Sequence, residues 1–307
     1  MADAEFIDQY IEDMMYMQWL RPENVPWDVH AAKLIAPHVR VPDSKTEIGC
    51  GNGFTSFSLL GGRFKKEFDW YYSVATKGFW ENKDIYDVEA SLDFRKFVHT
   101  SPAFAYDLAV DHKENLVNQA LAVGSAREIR VHDANVPLDL STADMVFSNM
   151  LYWLDDPVEV FGWISRNMKP GARLVTVFPN SNYKGYSRSF KQENLLWTML
   201  NRGRADENFW SLDPDAFEAL LARDTDLKVV EHALYLSRQT LSVVDIGLRP
   251  FSPHLIKMAN VLGAEKRFEI KTEWCEDLMS MIRELALQEL EDGPKDGGFN
   301  FYVLQKA

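Results

Sequence analysis

The sequence has few of the residues that hold secreted proteins together or bind metals. It contains only two cysteines, Cys50 and Cys275, so we expect no disulfide framework and favour a cytoplasmic location, where thiols stay reduced. Its seven histidines do not fall at metal-ligand spacing, and we predict no metal site. We also expect no membrane association, because no apolar run is long enough to cross a bilayer and the acidic N-terminal segment has no basic region typical of a signal peptide.

Excess positive charge is also absent. The 307 residues carry a formal net charge of -13. An acidic surface repels a phosphate backbone, so we expect no nucleic-acid partner. The composition, with 46% hydrophobic residues, is that of a globular protein with enough apolar material for a sizeable core.

Short apolar segments alternate with helix-compatible segments along the chain. Strands are predicted over residues 45–49, 104–111, 127–135, the first part of 143–154, 172–180, 227–238 and 299–306. Helices are predicted within residues 4–20, 54–62, 112–124, 157–171, 186–202, 212–224 and 250–291. This alternation indicates βαβ units, and therefore an α/β fold with a mostly parallel, Rossmann-like doubly wound sheet that has helices on both faces.

A single domain with insertions accounts for this order better than two domains side by side. The segment between the first helix of the core and its second strand is long and rich in aromatic residues, which argues against disorder. The predicted organisation is an N-terminal helical lid (1–40), a core (41–62 and 104–180), an aromatic insertion (63–103), a cap with the sixth strand (181–298) and a last strand (299–307).

Three alternating glycines, Gly49, Gly51 and Gly53, lie in 46-TEIGCGNGFTSFSLL-60, where a predicted strand turns into a helix. In an open α/β sheet, ligands bind at the carboxyl ends of the strands. A glycine-rich turn there lets the backbone approach a ligand closely. We interpret this stretch as a nucleotide-type cradle.

The spacing of the glycines distinguishes two kinds of cradle. A dinucleotide site requires G-x-G-x-x-G, and counting from Gly49 the third glycine would fall at Phe54. The sequence instead has Glu47 followed by the three glycines, in the order E-x-G-x-G-x-G. This pattern resembles the first motif of the class I S-adenosylmethionine (SAM)-dependent methyltransferases.

The resemblance continues through the core and implies a set of cofactor-binding residues. Asp111 ends the second strand, where an acidic residue of the family binds the ribose, and Asp133-Ala134 follows the third, where the adenine lies. Ser148-Asn149 follows the fourth strand, where the methionine part of the cofactor lies in the family. The segment MKPGARLVTVF resembles the family's L-K-P-G-G-x-L run before the fifth strand. The resemblance also implies that the last strand is reversed in the sheet. The implied cofactor-binding residues are Glu47, Gly49, Cys50, Gly51, Gly53, Asp111, His112, Asp133, Ala134, Ser148 and Asn149.

The sequence departs from the family in two places. The linker before Asp111 is unusually long, and the fourth motif reads SNMLYWLDD, which disfavours methylation of planar amides. Each polar candidate also has a structural alternative. Glu47 could cap the loop, Asp111 could cap the N-terminus of a helix, and Asp133 could stabilise a turn. Cys50 is interpreted as a small packing residue.

The sequence carries only weak signals for a catalytic base. Tyr152 and Trp153 follow the fourth strand, facing the expected methyl-transfer pocket, or else pack in the core. His99 ends the aromatic insertion and could reach over the pocket, and His254 is a weaker candidate. The insertion and residues 181–215 could form a substrate roof, in which Lys184, Arg188 and Lys191 either hold an acidic group or form a solvated helix face.

Together these features favour a cytoplasmic SAM-dependent methyltransferase that transfers a methyl group to oxygen or nitrogen of a small-molecule acceptor by in-line displacement, with S-adenosylhomocysteine as product. Three alternatives remain: a non-catalytic SAM-binding or interaction module, an NAD-dependent oxidoreductase, and methylation of a protein or RNA. A homodimer is compatible with the sequence.

Overall fold

The computed structural model describes residues 4–73, 92–187, 189, 210–246, 249–292 and 295–307. The strands in these ranges are β1 (Lys45–Ile48), β2 (Arg63–Phe64), β3 (Val98–Thr100), β4 (Tyr106–Asp111), β5 (Ala126–Val131), β6 (Met145–Ser148), β7 (Arg173–Pro179), β8 (Leu227–Tyr235) and β9 (Phe299–Lys306). The α-helices are α1 (Ala4–Met17), α2 (Asn24–Val39), α3 (Phe54–Leu59), α4 (Trp70–Ser73), α5 (Glu114–Val123), α6 (Pro157–Asn167), α7 (Ser181–Tyr186), α8 (Pro214–Asp224), α9 (Arg238–Ile246), α10 (Ser252–Ala259) and α11 (Ala264–Asp292).

A seven-stranded sheet in the order β5-β4-β1-β6-β7-β9-β8 forms the centre of the molecule. The pairs of β1 with β4 and β6, of β4 with β5, and of β6 with β7 are parallel. Strand β9 is antiparallel to both of its neighbours, β7 and β8. The predicted Rossmann-like sheet with a reversed C-terminal strand is therefore confirmed.

The reversal of β9 brings its first residue to the edge of the sheet where the parallel strands end. Phe299 pairs with Pro179 at the end of β7 and with Tyr235 at the end of β8. Strands β1, β4 and β6 end at this same edge, because they run parallel to β7. One edge of the sheet therefore collects the residues that follow six strands and the residue that begins the seventh.

Helices cover both faces of the sheet, as βαβ connections require. On one face, Phe161 and Trp163 of α6 and Phe217 of α8 pack against Phe178 and Tyr302 of the sheet. Helix α6 begins as expected from Pro157, and the Asp156 side chain accepts a hydrogen bond from the backbone of Glu159.

The N-terminal segment packs on the other face. Helix α1 buries Ile11, Met14 and Met15 completely, and it contacts α2 and the long helix α11. Residues 4–39 therefore contribute to the main hydrophobic core, while a lid function for residues 1–40 stays a prediction. None of the helices within the described ranges is long and apolar enough to cross a membrane.

The described ends of the aromatic insertion form a small β-hairpin-like unit that the sequence did not indicate. Strand β2 pairs antiparallel with β3. The Phe54 ring of α3 contacts Phe68, Trp70 and Phe94, with ring centroids 5.2–6.5 Å apart. These aromatic side chains are buried and stabilise the position of α3. Phe79, Trp80 and Tyr86 lie outside the described residues, as do Arg188 and Lys191.

Several strands are shorter than predicted. The strand predicted over 127–135 ends at Val131: the His132 N–H makes the last hydrogen bond to β4, at Asp111 O, and the chain then turns where the Val136 N–H bonds to Asp133 O. The strand predicted over 227–238 ends at Tyr235, one residue before Leu236 adopts a positive φ. The sequence pattern does not show where the hydrogen-bonded ladder stops, so the predicted strands are too long at their carboxyl ends.

Candidate functional site

The glycine loop, residues 49–53, connects β1 to α3 at the carboxyl edge of the sheet. Gly49, Gly51 and Gly53 all have positive φ, at 79°, 57° and 74°. Residues with a Cβ adopt this conformation only at a cost of about 1–2 kcal/mol each, which explains the repeated glycines. The N–H groups of Gly49 and Cys50 both donate to Val110 O, at 2.8 and 3.0 Å, and these bonds fix the loop against β4.

Each glycine has a different neighbourhood. A Cβ on Gly53 would lie 2.8 Å from Ser125 Oγ, and one on Gly49 would lie 2.1 Å from Cγ of Met150. These two glycines are therefore required by packing against the protein itself. A Cβ on Gly51 would meet nothing within 4 Å, so its side of the loop is open to a ligand.

Asp111 joins the end of β4 to the glycine loop. Its Oδ2 accepts a hydrogen bond from the Gly51 N–H at 2.9 Å, and its Oδ1 accepts one from the Lys113 N–H at 3.0 Å. A carboxylate has about four acceptor sites, so two remain for hydroxyl donors of a ligand. The structure thus brings together two residues that the sequence separates by 60 positions.

Glu47 lies beneath the same loop, with only 2% of its surface exposed. Its Oε1 accepts a hydrogen bond from Ser56 Oγ, while its Oε2 is buried and has no partner within the described ranges. Burial raises the pKa of Glu47 to about 7, the Ser56 hydroxyl lowers it, and the nearby charge of Asp111 raises it. A buried acceptor without a donor is costly, and it suits a site that receives a donor or a cation from a ligand.

The other expected cofactor residues surround the loop with varied exposure. His112 and Asn149 are exposed, and Ala134 is buried. Asp133 is exposed and accepts bonds from the backbone and side chain of Asn135, at 2.9 and 3.0 Å, so it also fits the turn-forming alternative.

Two of the expected cofactor residues have clear structural roles. Ser148 is fully buried and donates its hydroxyl to Ile48 O at 2.8 Å, which ties β6 to β1. Cys50 is buried, and burial raises the pKa of its thiol, as expected for an inert packing residue.

The catalytic candidates lie in different places. Tyr152 lies in a short helical turn, Leu151–Trp153. This turn begins directly after Met150, whose side chain covers Gly49, so Tyr152 lies close to the glycine loop. His99 lies on β3, where it is exposed and lines a separate cavity of about 280 Å3 together with Asp13 and Arg63. His254 lies on α10. The structure therefore places Tyr152 near the loop and gives no described contact between His99 and the loop.

The sequence did not reveal an aromatic cluster at the same edge of the sheet. Among the described residues, the ring of Phe299 has four aromatic neighbours, with centroids 4.7 Å away for Trp27, 5.4 Å for Tyr183, 5.6 Å for Tyr235 and 5.9 Å for Tyr152. We call these five residues the Phe299 cluster. Of these five residues, only Tyr152 lies near a sequence motif, the one after the fourth strand. Phe299 could have been placed at this edge of the sheet only from the register of the reversed strand β9.

Metal ligands do not form a cluster in the described part of the chain: no group of three or more His, Cys, Asp or Glu side chains is close enough to hold an ion. Lys184, expected at a substrate roof, lies exposed on α7.

No protein-family model and no curated protein matches this sequence. Among solved structures, a SAM-dependent methyltransferase from Thermotoga maritima has 11% identity and a TM-score of 0.47, with 99% of both chains covered. A SAM-dependent methyltransferase from Geobacter sulfurreducens, in complex with S-adenosylhomocysteine, has 14% identity and a TM-score of 0.45, with 90% of both chains covered. Geranyl diphosphate C-methyltransferase from Streptomyces coelicolor has 13% identity and a TM-score of 0.42, with 90% of this chain and 75% of that chain covered.

Similarities this distant carry no argument about the activity or substrate of this chain. The fold assignment instead rests on the strand order, the reversed β9 and the E-x-G-x-G-x-G turn placed between β1 and α3. By these features the chain has the class I methyltransferase fold that its sequence resembles.

Proposed function

We propose that this protein is a cytoplasmic SAM-dependent methyltransferase that methylates a small-molecule acceptor at nitrogen or oxygen. The observation that carries the proposal is the site around Gly51: an open loop, an acidic residue bonded to its backbone, and beneath it a buried carboxyl, one oxygen of which has no partner in the described part of the chain. Both cysteines are buried and unpaired, which supports a reducing compartment.

The residues present fit the chemical groups of SAM. Its ribose carries two hydroxyl donors, which the remaining acceptor sites of Asp111 can bind. Its methionine part carries an ammonium group, which suits Oε2 of Glu47, an acceptor with no partner among the described side chains, directly or through water. Gly51 allows close approach of the loop backbone. Asp133 and Ala134 would lie beside the adenine.

When bound, SAM supplies a methyl group that is already activated by the sulfonium charge. The protein therefore has to hold the acceptor in line with the methyl group and keep water away from it. Glu47 and Asp111 place negative charge beside a ligand that carries two positive charges, which favours SAM electrostatically. The Met150 side chain lies against Gly49 and covers that part of the loop.

The net charge of -13 supports a small-molecule acceptor over a nucleic acid. The NAD-dependent alternative is disfavoured by Phe54, which occupies the position of the third glycine of a dinucleotide site and is buried against Phe68 and Phe94.

Calorimetric titration with SAM, S-adenosylhomocysteine and NAD tests the proposal directly. We expect micromolar binding of the first two ligands and no heat from NAD. Absence of binding to both adenosyl ligands would contradict the proposed function, and binding of NAD alone would favour the oxidoreductase. Binding of SAM without turnover on any acceptor would favour the non-catalytic module.

A substitution of Gly51 distinguishes the loss of ligand binding from the loss of stability that backbone strain causes. We expect Gly51→Ala to lower the free energy of unfolding by about 1 kcal/mol, since φ is positive there, and to weaken SAM binding by about tenfold or more, since the added methyl group enters the open side of the loop. Thermal unfolding and calorimetric titration measure the two effects.

Gly124→Ala is the matched control. Gly124 also has a positive φ, 75°, and open space around its Cβ position, but it follows α5 at the opposite edge of the sheet. It should lose similar stability and keep full SAM affinity. Equal affinity losses in both variants would show that the effect comes from general destabilisation.

A further inference from the structure

The cavity of about 280 Å3 that His99 lines lies among α1, β2 and β3, and Asp13, Arg63 and Phe64 line it as well. Helix α3 contacts both this cavity and the proposed cofactor site. Its Ser56 bonds to Glu47, whereas the ring of its Phe57 contacts that of Phe64, with centroids 4.6 Å apart. The cavity is therefore a separate site, on another face of α3 from Glu47.

Part of the cavity lining is apolar. The Phe64 ring is half-buried and stacks on the buried Phe68, with centroids 4.3 Å apart and planes inclined by 23°. The buried side chain of Met17 also lines the cavity. Aromatic and apolar walls of this kind suit a flat apolar group, and the volume is sufficient for a ligand built on a single ring.

Arg63 presents hydrogen-bond donors at the same cavity. Its Nε donates to Oδ1 and Oδ2 of Asp13, at 3.3 and 3.2 Å. The two terminal amino groups of its guanidinium make no hydrogen bond within the described ranges, and a third of the side-chain surface is exposed, at 33%. Because this end of the guanidinium is a planar fork of N–H groups, it matches the two oxygens of a carboxylate.

Basic side chains outnumber acidic ones around the cavity. The charged residues that line it, besides His99, are Arg63, Lys65, Lys66, Glu12 and Asp13. The adjacent cavity of about 730 Å3, between α1 and α11, is lined instead by four acidic side chains and two basic ones. The chain as a whole carries a formal net charge of -13. The positive balance is thus a local property of the smaller cavity, and it favours an anionic ligand there.

We propose that this cavity binds a small aromatic carboxylate, whose carboxylate group is held by the terminal amino groups of Arg63 and whose ring packs against Phe64. The exposed His99 and Lys65 lie at the same cavity and add donors for the anion. An uncharged ring compound would gain the apolar contact but not the charge-assisted hydrogen bonds. The inference goes beyond the proposed function and does not depend on it.

Calorimetric titration at pH 8 tests the inference. The probes are benzoate and phenylacetate, each compared with its uncharged amide, benzamide or phenylacetamide, and with inorganic phosphate. We expect at least one carboxylate to bind at one site per chain, about tenfold or more tightly than its amide and than phosphate, which has no apolar group. Saturation with S-adenosylhomocysteine should leave the affinity for the carboxylate unchanged.

The two partners of the ion pair should respond in opposite directions. Arg63→Gln should weaken carboxylate binding by about tenfold or more, since the guanidinium is lost. Burial raises the pKa of Asp13 to about 6, so at pH 8 this side chain is ionised and repels the ligand. Asp13→Asn should therefore strengthen carboxylate binding, by about threefold or more. Structural damage alone would weaken binding in both variants.

Two further variants control for folding and for charge. Arg63→Gln/Asp13→Asn leaves no acid without its cation, and it should lose the carboxylate preference as Arg63→Gln does. Arg283→Gln removes a cation that pairs with Asp8 of α1 at 2.5 Å and lines the adjacent cavity. It should bind the carboxylate like the wild type.

The inference is overturned if no carboxylate is preferred over its amide, if phosphate binds as tightly, or if S-adenosylhomocysteine displaces the carboxylate. It is also overturned if the variants without Arg63 bind like the wild type, if Asp13→Asn binds more weakly, or if Arg283→Gln loses as much affinity as Arg63→Gln. Failure of the wild type to bind S-adenosylhomocysteine would overturn the proposed function alone, so the two failures can be told apart.

Discussion

Asp111→Ala is expected to weaken SAM binding by about 100-fold or more. The substitution removes the acceptor for the ribose hydroxyls and the partner of the Gly51 N–H, so it damages both the ligand contact and the shape of the loop. Hydrogen bonds to a charged group contribute about 1.5–3 kcal/mol each, and losing two of them corresponds to roughly 10²–10⁴ in affinity. Calorimetric titration with SAM and S-adenosylhomocysteine measures the loss.

Asp107→Ala is a matched control on the same strand. Asp107 accepts a hydrogen bond from the Lys45 N–H at 3.0 Å and pairs with Arg127 at 2.8 Å, so it holds β4 in a similar way near the strand's beginning. It should lose stability and retain SAM affinity. Full affinity in Asp111→Ala, or an equal loss in Asp107→Ala, would contradict the assignment of the ribose site.

Glu47→Gln is expected to stabilise the ligand-free protein at pH 8 and to weaken SAM binding. The pKa of Glu47 is about 7 in the folded protein, against an ordinary value of 4.5. Between these values the folded state binds more protons than the unfolded state, so stability falls as the pH rises through this window. The shift corresponds to about 3 kcal/mol at most, and the neutral glutamine does not incur this penalty.

The pH dependence separates this effect from a simple packing change. The gain in the free energy of unfolding should be near zero at pH 4.5 and largest above pH 7 in denaturant titrations. Glutamine keeps an acceptor for Ser56, whereas its amide cannot pair with an ammonium group as a carboxylate does. Glu218→Gln, exposed on α8, should show no such gain. A loss of stability at pH 8 in Glu47→Gln would contradict the burial of this carboxyl with an Oε2 that has no partner among the described residues.

Much of the site's framework could be predicted from local patterns. The order of strands and helices, the turn at Gly49, Gly51 and Gly53, and the position of Asp111 at the end of a strand all follow from residues close in sequence. Backbone conformation is governed by near neighbours: a left-handed turn favours glycine, and period-two apolar patterns favour strands. The same patterns were less precise about strand ends, because β5 and β8 stop where turns interrupt the ladder.

The function of individual side chains depended on contacts between distant segments. By its sequence position His99 could either reach over the pocket or lie at the surface; the pairing of β3 with β2 leaves it exposed at the cavity that Asp13 and Arg63 line, and a catalytic role for it stays a prediction. Of the aromatic residues in the insertion, Phe68, Trp70 and Phe94 are buried around Phe54, while a substrate roof formed by the insertion stays a prediction. An aromatic residue gives the same sequence signal whether it lines a pocket or fills a core. The burial of its side chain in the structure distinguishes the two roles.

The sequence by itself determined the fold class and the glycine turn, because both depend on short-range backbone preferences and on the alternation of elements. Only the tertiary structure decided that Gly51 is the glycine open to a ligand and that Oε2 of Glu47 is buried without a hydrogen-bond partner among the described residues. Trp27 and Phe299 lie at opposite ends of the chain, and the reversed strand β9 is what brings their rings within 4.7 Å. Such contacts are set by packing and strand register, which no local pattern of residues encodes.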